Sequence, residues 1–230
     1  MIIRSSTTVV PVVVVLFFFA TMTCGAEESY EQTQLAALRQ DRPRLAKSLD
    51  ARPEVRRWIL ERFRITEPPL IWESTRPVSG RKAEWDARDP TVTVLRIDGS
   101  PSGIDQLTNL LFELHNVQGY DVFDAIHEEA VRGELTPDEY ATKMLEQEFR
   151  ALLAARAFYR EHLSDLSRTE EKEARSYYRL LHGTDSFEQH LKEGLDRGFD
   201  LRDHYRELYD SIVIPEREQR DDTSQGDPGR

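Results

Sequence analysis

The sequence predicts an α+β protein that is mostly helical and carries one small antiparallel sheet. Apolar residues recur every three to four positions through most of the chain, which is the period of a helix. Between residues 70 and 98 the pattern changes to short β-prone runs separated by glycine and proline. About 200 residues follow the N-terminal segment, which is enough for a single domain with its own core.

Residues 1–26 have the organisation of an export signal. Arg4 precedes an apolar run from Val9 to Ala20, and small residues follow this run. This order is typical of a secretory signal peptide. The run is shorter than the roughly 20 apolar residues that cross a bilayer, although an uncleaved membrane anchor is the alternative. We therefore expect an exported protein, periplasmic or extracellular, with no integral membrane domain after cleavage.

The cleavage site has two interpretations. Cleavage after Ala26 places small residues before the cut, whereas lipidation of Cys24 would make the chain a bacterial lipoprotein with a lipid anchor. Cys24 is the only cysteine, so no intramolecular disulfide can form. The exported domain must then fold on its hydrophobic core alone.

The charge of the chain limits its partners. The formal net charge is −11, and removal of residues 1–26 leaves 30 basic and 42 acidic residues. Nucleic-acid binding needs a basic surface, so the acidic balance argues against it. The expected partner is an unidentified protein or envelope component.

The first half of the domain should contain helices and then the sheet. Residues 27–65 have helical spacing, with Asp50 as a predicted N-cap, and prolines end this region. Three strands are predicted over Leu70-Ile71-Trp72, Ala83-Glu84-Trp85 and Thr91 to Asp98. In the last strand Thr93, Leu95 and Ile97 alternate with their neighbours and should share one face.

The second half should be helical. Helices are predicted over Ile104–Asn116 and Asp121–Arg132, the latter ending at Gly133. The next helix begins with a capping box of Thr136 and Glu139 and reaches about Leu163. Further helices are predicted over 167–182, 186–196 and 200–213. The polar tail, residues 215–230, is expected to be disordered, so the predicted domain spans residues 27–214.

Two of these helices carry polar residues in unusual positions. On the Ile104–Asn116 helix, Asn109, Glu113 and Asn116 follow the spacing i, i+4, i+7 and form a polar face opposite a leucine-rich stripe. On the long helix Glu148 lies within the apolar face, where a carboxylate is costly without a partner. We predict that Glu148 contacts the first helix near Asn116. If it faces Glu113 there, its pKa is raised and the two carboxylates could share a proton. The alternatives are that both carboxylates lie at the surface and that Asn116 is a helix C-cap.

The strand, this helix and Glu148 together resemble the core of the gluzincin class of zinc metallopeptidases. In that class a strand precedes a helix with the motif H-E-x-x-H, and a glutamate on a later helix completes the zinc site. Phe112-Glu113-Leu114-His115-Asn116 occupies the motif, and Glu148-Phe149-Arg150-Ala151 resembles the later segment. Phe112 and Asn116 stand at the two histidine positions. The F-E-L-x-N helix also resembles one found in uncharacterised exported bacterial proteins.

The resemblance implies a zincin-like scaffold that has lost its zinc and its catalytic activity. Glu113 would correspond to the general base of the active enzymes. The first hypothesis is therefore a binding protein without a cofactor. A second is a metal-dependent hydrolase with zinc held by Glu113, His115 and Glu148. A third is a structural envelope protein in which Asn109, Glu113, Asn116 and Glu148 only order the core.

Overall fold

The computed structural model describes residues 29–75, 77, 83–86, 91–99, 102–164, 166, 170 and 183–225. The fold is α+β and mostly helical, with one three-stranded sheet, as predicted. The predicted export signal, Cys24 and nearly all of the helix predicted over 167–182 lie outside the described residues.

Three helices form the N-terminal part: α1 (Tyr30–Asp41), α2 (Pro43–Asp50) and α3 (Pro53–Ile65). Pro43 and Pro53 each begin a helix, where the missing backbone N–H has no helical acceptor in any case. The prediction that Asp50 caps α3 is wrong. Asp50 ends α2, and Arg52 occupies the N-cap position of α3 because the chain needs two residues to turn between these helices.

The sheet contains β1 (Leu70–Trp72), β2 (Ala83–Asp86) and β3 (Thr93–Ile97), in the order β1-β3-β2. The alternation in β3 is confirmed, since its first, third and fifth residues are buried. The prediction of a wholly antiparallel sheet is wrong. β2 is antiparallel to β3, but β1 is parallel to it, because the chain leaves β1 and enters the sheet again on the far side of β3.

The predicted helices after the sheet are confirmed: α4 (Gly103–Val117), α5 (Tyr120–Val131) and α6 (Pro137–His162). Thr136 and Glu139 form the predicted capping box at the start of α6. Gly133 follows α5 with φ of 79°, a left-handed conformation that glycine adopts without steric cost. Local sequence signals therefore define the ends of these helices well.

The C-terminal part contains α7 (Phe187–Asp196), α8 (Asp203–Leu208), a π-helix (Tyr209–Val213) and α9 (Ile214–Gln225). The prediction of disorder from Pro215 onwards is wrong for residues 215–225, which belong to α9. Pro215 cannot donate a helical hydrogen bond, and the change of helical period falls just before it.

The helices and the sheet enclose two hydrophobic cores that share α6. The N-terminal core lies between α1–α4, the sheet and the C-terminal half of α6. The C-terminal core lies between α5, the N-terminal half of α6, α8 and the π-helix. In the described part of the chain, no helix is long and apolar enough to cross a membrane.

Candidate functional site

Helix α4 is held rigidly in the N-terminal core. Gly103, at its start, lies so close to α2 that an added Cβ would collide with the carbonyl oxygen of Arg44. Further along, the carbonyl of Thr108 accepts a buried hydrogen bond from the Tyr159 hydroxyl of α6. The predicted apolar stripe is buried along its whole length; its residues are Ile104, Leu107, Leu110, Leu111 and Leu114. The polar face of α4 is therefore presented from a fixed position.

The polar face of α4, formed by Asn109, Glu113 and Asn116, is more buried than an ordinary helix surface. Glu113 is 8 % exposed and Asn116 is 3 % exposed, while Asn109 is half-buried. The chain has only two asparagines, and both lie on this face. The site thus combines one buried carboxylate with two carboxamides along about two turns of one helix.

The hydrogen bonding of this face is incomplete. Asn116 Nδ2 donates to Glu113 Oε2 over 3.4 Å, and a carboxylate at neutral pH only accepts, so Asn116 Oδ1 must point away. Among the described residues, Asn116 Oδ1 and Asn109 Nδ2 are buried without a hydrogen-bond partner. A buried polar atom without a partner costs roughly 1–3 kcal/mol, so a fold would not retain two of them for stability.

Glu148 makes its hydrogen bond to α8 and not to this face, and its predicted contact with α4 near Asn116 stays a prediction. Glu148 is half-buried, and its Oε2 accepts a hydrogen bond of 2.7 Å from the Tyr205 hydroxyl of α8. No hydrogen bond connects Glu148 with Glu113 or Asn116 within the described ranges, so the predicted shared proton has no geometric basis. The preceding residue, Gln147, lies against the turn that follows α4, because a Cβ added at Gly119 would collide with its amide.

Glu148 can bind α8 because α6 has different neighbouring helices along its length. Its first half, with Ala141 and Leu145, belongs to the C-terminal core, where α8 covers it. Its second half, with Ala155 and Tyr159, belongs to the N-terminal core and packs on α4. Glu148 does lie on the inner face of α6, but at a level where that face meets α8.

His115 points to a third environment, between α3 and α6. Its ring lies 4.9 Å from that of Trp58 and 5.8 Å from that of Phe158. Burial, with a smaller contribution from the positive charge of Arg62, lowers the pKa of His115 to about 4. The imidazole is therefore neutral at physiological pH and belongs to an aromatic cluster.

The candidate metal ligands are thus not brought together. Glu113 lies beside Asn116, His115 packs against Trp58, and Glu148 is bound to Tyr205. In the part of the chain that the structure describes, no three histidine, cysteine, aspartate or glutamate side chains are arranged to hold a metal ion.

Two tyrosines that the sequence did not single out, Tyr205 and Tyr209, make long-range hydrogen bonds. Tyr205 binds Glu148, and Tyr209 binds the carbonyl oxygen of Leu135 through a hydrogen bond of 2.9 Å. The two tyrosines are four residues apart in a predicted helix, so their common face was readable from the sequence. Their partners were not, because Glu148 and Leu135 lie 57 and 74 residues away along the chain.

His190 of α7 lies close enough to Glu148 for their charges to interact. The His190 ring is 5.0 Å from the Phe149 ring, and burial lowers the pKa of His190, although the charges of Glu148 and Glu193 act in the opposite direction.

Comparison with known proteins gives no relative. No family model, no curated protein and no solved structure matches the chain. A functional assignment has to rest on the polar face of α4 and on the chemistry around it.

Proposed function

We propose that this chain is an exported, catalytically inactive scaffold that binds a protein or an envelope component through the polar face of α4. The observation that carries the proposal is the pair of buried carboxamide atoms without partners, Asn109 Nδ2 and Asn116 Oδ1. Polar atoms that destabilise the free protein are explained if a ligand pairs with them. The sequence of residues 1–26 supports export.

The loss of catalysis follows from the residues at the positions of the motif. The order strand, helix and later helix is retained in β3, α4 and α6, which supports a degenerate zincin-like scaffold. Phe112 has no metal-binding atom, and Asn116 is a weak ligand for zinc. Glu148, the third ligand in the resemblance, is engaged by Tyr205. A hydrolase site would need all three positions to be filled by ligands.

The chemistry of the face suits an amide-containing ligand. Asn109 offers a donor and Asn116 offers an acceptor, and an amide or peptide group supplies the complement of both. Asn109 is the more accessible of the two, so a ligand would approach from this end of the face. Proteins and amide-bearing envelope polymers both carry such groups.

The test separates binding from folding by means of Asn116→Leu. Asn116→Leu removes both the buried Oδ1 that has no partner and the long hydrogen bond of 3.4 Å to Glu113, so the free energy of unfolding should change by less than about 1 kcal/mol. A photo-crosslinking amino acid at Asn109 would capture the ligand in intact cells. Binding of the purified ligand to Asn116→Leu should then weaken by about tenfold or more.

Gln40→Leu is the matched control, because Gln40 is an exposed amide on α1. It should change neither stability nor binding. If Asn116→Leu lowers stability by more than about 2 kcal/mol and leaves ligand binding intact, the face is a structural network and the proposal fails.

A further inference from the structure

The described side chains of helix α9, residues 214–220, lie mostly at the surface. Of residues 214–220, all are exposed except Arg217, which is half-buried. The only large apolar residue of α9, Ile214, is 36 % exposed. The hydrophobic effect therefore contributes little to the position of α9, and its polar contacts hold it in place.

Arg217 reaches into a half-buried site with two oxygen acceptors and an aromatic ring, and its Nε has no hydrogen-bond partner among the described residues. Its Nη2 donates to the carbonyl oxygen of Ala130 and, over 2.7 Å, to the Tyr209 hydroxyl. The guanidinium carbon lies 5.6 Å from the centre of the Tyr209 ring, within the range of a cation–π interaction. A Cβ at Gly133 would lie 3.8 Å from that carbon, so Gly133 forms one wall of the site. We name Ala130, Gly133 and Tyr209 the arginine site.

Two residues of the arginine site, Ala130 and Tyr209, belong to the C-terminal core. Ala130 is fully buried and Tyr209 is 4 % exposed. The Tyr209 hydroxyl is also fixed from the other side, because it donates to the carbonyl oxygen of Leu135. The Ala130 carbonyl lies at the C-terminal, negative end of the α5 dipole, which favours a cation.

Two further contacts between α9 and α5 lie beside the arginine site. Glu128 accepts a hydrogen bond of 3.2 Å from Arg220, and His127 lies 2.8 Å from a carboxylate oxygen of Glu216. The occupant therefore presents an acidic residue, an arginine next to it and a second arginine three residues later. These three side chains lie close together on one side of a helix.

We propose that the arginine site is a docking site for an arginine-bearing helical segment of a partner protein, with α9 as its built-in competitor. The Arg220–Glu128 ion pair is exposed and the contact between His127 and Glu216 is partly exposed, so both contribute little to the attachment of α9. The acidic charge of the chain favours a basic partner. Because α9 is tethered to the site, its effective concentration there is high. A partner therefore occupies the site only if its own concentration or affinity is high enough to displace α9. This surface lies in the C-terminal core and is independent of the polar face of α4.

The experiment uses the full chain and a fluorescent peptide with the sequence of residues 214–225, read by fluorescence anisotropy. Arg217→Ala vacates the site, so this variant should bind the peptide at least about tenfold more tightly than the wild type. Arg160→Ala is the matched control, since Arg160 is exposed on α6, and it should behave as the wild type does. A peptide with alanine in place of Arg217 should not bind the vacated site.

If Arg217→Ala binds the peptide no more tightly than the wild type does, the proposal is overturned. Should this variant not fold, hydrogen exchange on the wild-type chain decides. Excess peptide should then remove protection from residues 214–225, and unchanged protection overturns the proposal. A wild-type chain that dimerises through exchange of α9 between two copies would also overturn it, because the natural occupant would then be a second copy.

Discussion

The N-terminal and C-terminal hydrophobic cores differ in the side chains that form them. The N-terminal core is the larger and consists mainly of leucine, with some isoleucine and phenylalanine and one tyrosine, Tyr159, whose hydroxyl donates to the Thr108 carbonyl. The C-terminal core is smaller and includes Tyr140, Tyr205 and Tyr209, of which the last two bind groups far away in the sequence. Aliphatic packing dominates the first core, whereas hydrogen bonds of tyrosine side chains make up a larger share of the contacts in the second. Polar contacts therefore decide the arrangement where apolar area is scarce.

Truncation in the N-terminal core should have the largest effect on stability. Leu110→Ala removes a side chain that is 0 % exposed from the centre of α4 and should lower the free energy of unfolding by about 2–5 kcal/mol. Leu195→Ala, at a 54 % exposed position on α7, is the matched control and should cost less than about 0.5 kcal/mol. Urea denaturation measures both. Equal losses would show that the N-terminal core does not dominate folding.

The neutral His115 makes the N-terminal core sensitive to acid. Its pKa is about 4 in the folded protein, against about 6.5 when unfolded, so between these values the unfolded chain binds a proton that the folded chain does not. The contribution is complete above pH 6.5 and is lost as pH falls towards 4, by roughly 3 kcal/mol in total. His115→Gln should remove this part of the dependence. Parallel stability curves for the two proteins would contradict the assignment.

Loss of tyrosine hydroxyls should affect the C-terminal core more than the periphery of the N-terminal core. Tyr209→Phe leaves the buried carbonyl of Leu135 and the Arg217 guanidinium short of a partner, and should cost about 2 kcal/mol. Tyr30→Phe removes a half-exposed hydroxyl that donates to the Leu70 carbonyl, and should cost less than about 1 kcal/mol. Thermal denaturation by circular dichroism compares them. The opposite order would reverse the contrast between the two cores.

Metal removal should have the smallest effect. Since Glu113, His115 and Glu148 face different neighbours, a chelator should leave the melting temperature of the purified protein unchanged. Elemental analysis measured on the same sample is the direct check. A stoichiometric transition metal whose removal destabilises the protein would restore the hydrolase hypothesis.

The sequence by itself determined the helices and strands between residues 93 and 163 and the polar face of α4. The signals there are local: a capping box at Thr136, a glycine at 133, strict alternation in β3 and a helical period in α4. Each one acts over a few residues, so no knowledge of the rest of the chain is needed.

Only the tertiary structure decided which neighbour covers each face. A helical period places Glu148 on the inner face of α6, but it cannot say that Tyr205 of α8 is its hydrogen-bond partner. The parallel pairing of β1 and the ordering of α9 by Arg217 depend in the same way on segments far along the chain. Periodicity reports the direction of a side chain relative to its own element, whereas its partner is set by the packing of all the elements together.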